Sequence, residues 1–82
     1  MKEIDNLRKR INTIDETIMS LLDQRFDIVK NIGTLKRSQK AAIEDNSRES
    51  IILDKAKTYS HESEIKIIYG TIFTVSKNLQ RK

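Results

Sequence analysis

The feature that most constrains the fold of this chain is an apolar pattern that runs from about Glu3 to Gln39. Its members alternate at intervals of three and four residues, the heptad spacing of a long amphipathic helix, provided that Arg25 is counted as a member. No proline interrupts the pattern, and its one glycine costs a helix only about 1 kcal/mol. The aliphatic members, called the heptad stripe below, are Ile4, Leu7, Ile11, Ile14, Ile18, Leu21, Ile28, Ile32 and Leu35.

Length and composition favour an all-α domain that packs against a copy of itself. The predicted helix is roughly 50 Å long, and the rest of an 82-residue chain is too short to cover it. Proline is absent and glycine is rare, which favours helices, and the lack of cysteine removes disulfides as a source of stability. We therefore predict one domain over residues 1–82 that gains stability by forming a homodimer.

Arg25 is the informative member of the pattern because its neighbours in register are aliphatic. Burying an unpaired guanidinium is costly, so an anionic group is expected to meet it. One interpretation is a polar residue that fixes the register or oligomeric state of a helical pair. The other is that Arg25 lines an anion pocket cut into a helical core.

Two further cations lie beside the heptad stripe, Arg8 after Leu7 and Lys36 after Leu35. Lys36 follows Arg25 by eleven residues, so the two side chains point the same way, about 16 Å apart along the axis. Arg8 is about 25 Å from Arg25 and cannot share a small ligand with Lys36 within one straight helix. In an antiparallel pair it could reach the partner's site. Solvated surface positions are the alternative for both Arg8 and Lys36.

The formal net charge of +4 does not by itself indicate a nucleic-acid partner. Acidic residues are interspersed along the long helix, and no aromatic residues interleave with the basic ones, so nucleic acid is not expected to bind. The excess of positive charge would suit an anionic small substrate. The N-terminus does not resemble a signal peptide and no apolar run could span a membrane, so we expect a cytoplasmic protein without membrane contact.

The pattern is lost over residues 37–43, which we interpret as a loop before a second, shorter helix. Asn46 with Glu49 resembles a capping box, and the helix is predicted to continue to about Tyr59. Asp45, Arg48 and Glu49 fall in or beside its first turn, where acidic residues also favour a helix N-terminus for purely local reasons.

The third helix is predicted to start at a Ser60 or Ser63 cap and to run to about Leu79. His61 beside the cap is expected to be solvated rather than catalytic. The predicted core stripe is Ile65, Ile68, Ile72, Val75 and Leu79. An adjacent stripe ends in polar groups, which could be either solvated or pocket-lining; it consists of Tyr69, Phe73, Ser76 and Gln80.

The sequence lacks the motifs of several catalytic classes. It has no glycine-rich phosphate loop, no metal-ligand cluster, no Cys–His pair and no persuasive Ser–His triad. An enzyme with this sequence is therefore expected to use no metal, no cofactor and no covalent intermediate.

Several short segments, taken in order, resemble the all-α (type II) chorismate mutases over nearly the whole chain. The segments that carry the resemblance are 7–11 with 14–15, 21–25, 32–36, the Asp-x-x-Arg-Glu motif of Asp45, Arg48 and Glu49, and the pair Ser76 and Gln80. The resemblance implies three helices per chain in an intertwined homodimer that rearranges chorismate to prephenate, at the branch toward phenylalanine and tyrosine. One departure is the connection 57–64, which is shorter than in better-known relatives and precedes the helix that carries Ser76 and Gln80.

The resemblance also implies roles for individual residues. Lys36, Gln80 and Glu49 would act on the reacting groups, whereas Arg25, Asp45, Arg48 and Ser76 would bind or orient chorismate, with Arg8 donated by the partner chain. Two alternatives remain open. One is an isochorismate-pyruvate lyase of the same fold, and the other is a non-catalytic helical dimerisation or regulatory module.

Overall fold

The computed structural model describes residues 1–43 and 45–82, and three α-helices account for most of them. These helices are α1 (Lys2–Ser38), α2 (Asn46–Lys55) and α3 (Glu62–Gln80), with a short 3-10 helix (Ala56–Thr58) after α2. The described residues form no strand, so the prediction of an all-α fold with one long and two shorter helices is confirmed. Within that described part, no helix is both long and apolar enough to cross a membrane.

Helix α1 has nearly the predicted extent because no proline interrupts it and its one glycine is only a small cost. It ends one residue before the predicted Gln39, and its last turn is closed by hydrogen bonds from Gln39 to the Leu35 carbonyl and from Ala41 to the Lys36 carbonyl. Lys40 adopts a positive φ of 56°, the left-handed conformation that often terminates a helix. The predicted loop at 37–43 therefore begins two residues too early.

The N-terminal caps differ from the prediction at both shorter helices. Asp45, rather than Asn46, caps α2, since its carboxylate accepts a 3.0 Å hydrogen bond from the Arg48 backbone N–H. Helix α3 follows His61, with no side-chain hydrogen bond at the cap, so the predicted Ser60 and Ser63 caps are wrong. His61 itself is exposed, as expected.

The end of the second helix is also different from the prediction, which extended it to about Tyr59. The α-helical hydrogen bonds stop at Lys55, and the chain then tightens into the 3-10 helix. Tyr59 is already extended, with φ −110° and ψ 146°. The turn lets α3 fold back beside α2, and Ala56 is buried where the two meet.

The core of the single chain lies between the C-terminal half of α1 and the C-terminal half of α3. Val29 and Gly33 of α1 are buried there, as are three α3 residues, Phe73, Ser76 and Gln80. These three belong to the stripe that the sequence placed beside the core. Two members of the predicted core stripe are exposed instead, namely Ile68 and Val75.

The heptad stripe remains uncovered in the single chain. Its nine aliphatic residues are between 38% and 58% exposed, and every residue from position 1 to position 21 is exposed. The N-terminal half of α1 therefore projects beyond the other helices, consistent with the 56 × 24 × 15 Å extents of the chain. An apolar helix face of this length requires a covering partner if it is to leave water.

Candidate active site

A cavity of about 370 Å³ opens where the C-terminal halves of α1 and α3 meet the first turn of α2. All three helices contribute polar side chains to its wall, and apolar residues such as Val29 and Phe73 form the remainder. Seven of the eight site residues named from the sequence line it: Arg25, Lys36, Asp45, Arg48, Glu49, Ser76 and Gln80.

Arg25 is directed toward α3 by a relay of two hydrogen bonds. Its Nη1 donates to the Ser76 Oγ at 2.8 Å, and that hydroxyl donates in turn to the Ile72 carbonyl at 2.6 Å. Ser76 is only 5% exposed, so both of its hydrogen-bonding partners are fixed within the protein. A guanidinium has five N–H donors, and the contact with Ser76 uses one of them. Arg25 is thus held in a defined orientation on the cavity wall.

Lys36 lies three turns further along α1, at the other end of the cavity. Its Nζ donates a 3.2 Å hydrogen bond to the Ile43 carbonyl, which brings the segment after α1 back over the helix end. The side chain is half-buried rather than solvated. An ammonium has three donors, so Lys36 retains hydrogen-bonding capacity beyond this backbone contact.

The start of α2 supplies both acidic side chains of the cavity wall. Asp45 is engaged as the N-cap described above, which sets the direction in which α2 leaves the loop. Glu49, one turn later, forms an ion pair with Lys77 of α3, with 3.3 Å between Oε2 and Nζ. Arg48 lies between them and also lines the cavity.

Gln80 is positioned through its backbone as well as its side chain. The Arg37 guanidinium donates to the Gln80 carbonyl, one of the orphan acceptors at the end of α3. Gly33 lies against the Gln80 backbone, at a separation that leaves no room for a Cβ. The Gln80 Oε1 is buried and has no hydrogen-bond partner among residues 1–43 and 45–82. A buried amide oxygen without a partner is costly, and a bound ligand is one way to satisfy the Gln80 amide.

The charge on the cavity wall is positive overall. Four cationic side chains face two carboxylates, so the wall carries an excess of two positive charges. The cations are Arg25, Lys36, Arg48 and Lys77, and the carboxylates are those of Asp45 and Glu49. An anionic ligand with several hydrogen-bond acceptors fits this arrangement.

Arg8 is the one predicted site residue that does not reach the cavity of its own chain. It is exposed on the uncovered N-terminal half of α1, about 25 Å along the axis from Arg25. Conversely, sequence reasoning missed Lys77, Arg37 and Gly33. Lys77 follows Ser76 directly, but only the angle between α2 and α3 brings it to Glu49.

The described residues include no group of three or more His, Cys, Asp or Glu side chains arranged to hold a metal ion. The cavity offers hydrogen-bond donors, fixed charges and a defined shape. Such a site can select one conformer of an anionic substrate and stabilise charge that develops on an oxygen.

Comparison with known proteins points to one family. A family model described as chorismate mutase type II matches residues 7–81. The bifunctional chorismate mutase/prephenate dehydratase of Aquifex aeolicus (strain VF5) is 36% identical over 73 residues, covering 89% of this chain and 19% of the relative. The chain therefore spans about a fifth of that relative's length.

A solved structure gives the same fold. A conserved hypothetical protein from Pyrococcus furiosus superimposes on the chain with a TM-score of 0.87 and 37% sequence identity. The superposition covers 99% of each chain, so all three helices have counterparts in the same arrangement.

Proposed function

The chain belongs to the chorismate mutase type II family, and from that premise we propose that it catalyses the rearrangement of chorismate to prephenate. The observation that carries the proposal is the cavity itself, where cationic and amide side chains from α1 and α3 converge with Glu49 of α2. Chorismate is a dianion with two carboxylates, an ether oxygen and a ring hydroxyl. The excess positive charge and the mixed donors and acceptors suit all of these groups.

The functional unit is an intertwined homodimer in which each cavity receives Arg8 from the partner chain. The exposed heptad stripe supports this assignment, because its apolar residues need a covering surface of the same length. The axial distance supports it as well, since Arg8 lies too far from Lys36 to serve the same small ligand within one chain. An antiparallel partner could bring its Arg8 to this cavity.

The first task of the site is to select a conformer. Chorismate must adopt a compact diaxial form before the new C–C bond can form. Arg25 and the partner's Arg8 each hold one carboxylate through paired N–H···O contacts, and Ser76 supports the carboxylate at Arg25 indirectly, by orienting that guanidinium. The hydrogen bond from Arg25 to Ser76 supports this role because it fixes the guanidinium before substrate arrives.

The second task is to stabilise charge in the transition state. As the ether C–O bond breaks, negative charge grows on the oxygen, and Lys36 and Gln80 donate hydrogen bonds to it. Glu49 accepts a hydrogen bond from the ring hydroxyl. Asp45 and Arg48 orient the first turn of α2 around the substrate. The reaction is pericyclic, so no proton is transferred to or from the protein.

The proposed pathway role is the supply of prephenate for phenylalanine and tyrosine synthesis in the cytoplasm. The Aquifex aeolicus relative, whose name joins chorismate mutase to prephenate dehydratase, supports a position directly before a prephenate-consuming step.

The proposal is tested by incubating the purified chain with chorismate and, separately, with isochorismate. Loss of chorismate with formation of prephenate is the expected result. Salicylate and pyruvate from isochorismate, with no prephenate from chorismate, would identify a lyase instead. No turnover of either compound by a folded dimer would favour a non-catalytic dimerisation or regulatory module.

A further inference from the structure

An ion pair on the cavity wall joins two helices that are otherwise held together without deep burial. Lys77 of α3 and Glu49 of α2 approach to 3.3 Å, and their side chains are only 22% and 25% exposed. Helix α2 itself contains no buried residue, so packing alone does not fix its first turn. The pair therefore ties the start of α2 to the C-terminal half of α3 at the edge of the cavity.

We infer that Lys77 is a positioning residue that holds the Glu49 carboxylate at the angle needed to accept the ring hydroxyl of chorismate. This inference rests on the proposed function and deepens it, because it assigns recognition of one substrate group to an interhelical pair. Glu49 has several rotatable bonds and would otherwise be free to turn toward solvent. Anchoring one carboxylate oxygen, Oε2, by Lys77 leaves the other available to the substrate.

The partial burial of the pair makes it more consequential than an ordinary surface ion pair. More accessible pairs such as Lys66 with Glu62, one turn apart on α3 with side chains 39% exposed, contribute less because water competes more for both charges. At Lys77 and Glu49, loss of one partner leaves a partly desolvated charge without its counterion. Lys77 also lies one residue after Ser76, so the same turn of α3 serves both the carboxylate and the hydroxyl ends of the substrate.

The test is a double-mutant cycle with Lys77→Met, Glu49→Gln and the combined variant, measured as kcat/KM on chorismate. Methionine keeps most of the lysine stem and removes its charge. Lys77→Met is expected to lower kcat/KM about tenfold, and Lys77→Arg to retain most of the activity. In the Glu49→Gln background, Lys77→Met should cost less than a further twofold, because the residue acts through Glu49.

A matched control removes the same charge elsewhere on α3. Lys66→Met also breaks a lysine–glutamate pair, at 3.0 Å, but lies outside the cavity, so its kcat/KM should stay at the wild-type value. A chorismate analogue that lacks the ring hydroxyl separates positioning of Glu49 from a purely structural role, because a structural defect would lower activity on both compounds equally. Wild type and Lys77→Met should convert this analogue at similar rates, since Glu49 has nothing to accept.

Three results would overturn the inference. Losses that multiply across the cycle would mean that Lys77 contacts the substrate independently of Glu49. Unchanged activity in a folded Lys77→Met dimer would make the pair purely structural. An equal loss of activity on chorismate and on the analogue would show that Lys77 does not act through recognition of the ring hydroxyl. Should Lys77→Met fail to fold, Lys77→Gln enters the same cycle. Wild-type protein without mutase activity would instead defeat the proposed function, and this inference with it.

Discussion

Gly33 and Gln80 are in backbone contact across the α1–α3 interface. A Cβ built on Gly33 would lie 2.6 Å from the Gln80 Cα and 2.7 Å from its carbonyl oxygen, both well inside van der Waals separation. The neighbouring atoms belong to the backbone rather than to the end of a flexible side chain, so they can yield only if α3 itself moves. The glycine therefore sets how closely α3 and its Gln80 side chain approach the cavity.

Gly33→Ala is accordingly expected to impair both stability and activity. Overpacking of this kind costs about 1–3 kcal/mol, which exceeds the gain of about 1 kcal/mol in helix propensity. Urea unfolding should show a net loss of stability, and kcat on chorismate should fall more than tenfold because Gln80, the proposed donor to the ether oxygen, is displaced.

The chain provides its own control for this change. Gly70 also lies in a helix, and a Cβ at that position would meet nothing within 4 Å. Gly70→Ala should therefore stabilise the protein by about 1 kcal/mol and leave kcat unchanged. If Gly33→Ala behaves in the same way, the close approach to Gln80 is not required for catalysis.

The extent of α1 could be predicted from the sequence because its heptad stripe is long and nothing within it breaks a helix. Which residues of α3 are buried could not be predicted in this way, since two adjacent stripes of that helix are both partly apolar. Within one chain, α1 covers the stripe of Phe73, while Ile68 stays exposed. Periodicity shows that a helix has an apolar face, but it does not show which neighbour will cover that face.

Other differences between the prediction and the structure arose where neighbouring residues have similar local preferences. Asp45 and Asn46 are equally good N-caps, and only the path of the loop decides between them. The partners of Gly33 and Lys77 depend on how closely and at what angle helices pack, which no local pattern encodes. The positions of Arg25 and Lys36 were easier to anticipate, since both lie on one straight helix whose geometry fixes their spacing.

Arg25→Lys is expected to lose most of the mutase activity while the dimer persists. A single ammonium cannot reproduce the planar, paired contact of a guanidinium with a carboxylate, nor can it also keep the hydrogen bond to Ser76. The loss should be at least about 2 kcal/mol, or roughly thirtyfold in kcat/KM. Steady-state kinetics measures the activity, and size-exclusion chromatography measures the dimer content. Near-normal activity in a folded dimer would favour Arg25 as a register-fixing residue instead.

Gln80→Glu should make the activity depend on pH. The glutamine amide donates a hydrogen bond at any ordinary pH, whereas a glutamate donates only when it is protonated. Activity of the variant should therefore rise as the pH falls through the pKa of the new carboxyl, and the wild type should be much flatter over that range. Equal, flat kcat profiles for the two proteins would show that Gln80 does not face the ether oxygen.

The partner-chain role of Arg8 can be tested by complementation between two inactive variants. Arg8→Ala and Arg25→Ala homodimers should each be nearly inactive, because every site lacks one of its two guanidinium contacts. A heterodimer of the two, formed by unfolding and refolding them together, has one site with an intact Arg25 from the first chain and an intact Arg8 from the second. Its other site lacks both.

Random pairing makes about half of the dimers mixed, each with one intact site of two, so roughly a quarter of the wild-type activity should return. The comparison is with equal amounts of each variant refolded alone, with dimer content checked by size-exclusion chromatography and heterodimers identified by a mass tag on one chain. If Arg8 serves its own chain, every site in the mixture keeps one defect and no activity returns. Absence of any gain with heterodimers present would rule out donation of Arg8 across the interface, together with the antiparallel arrangement of α1 that it requires.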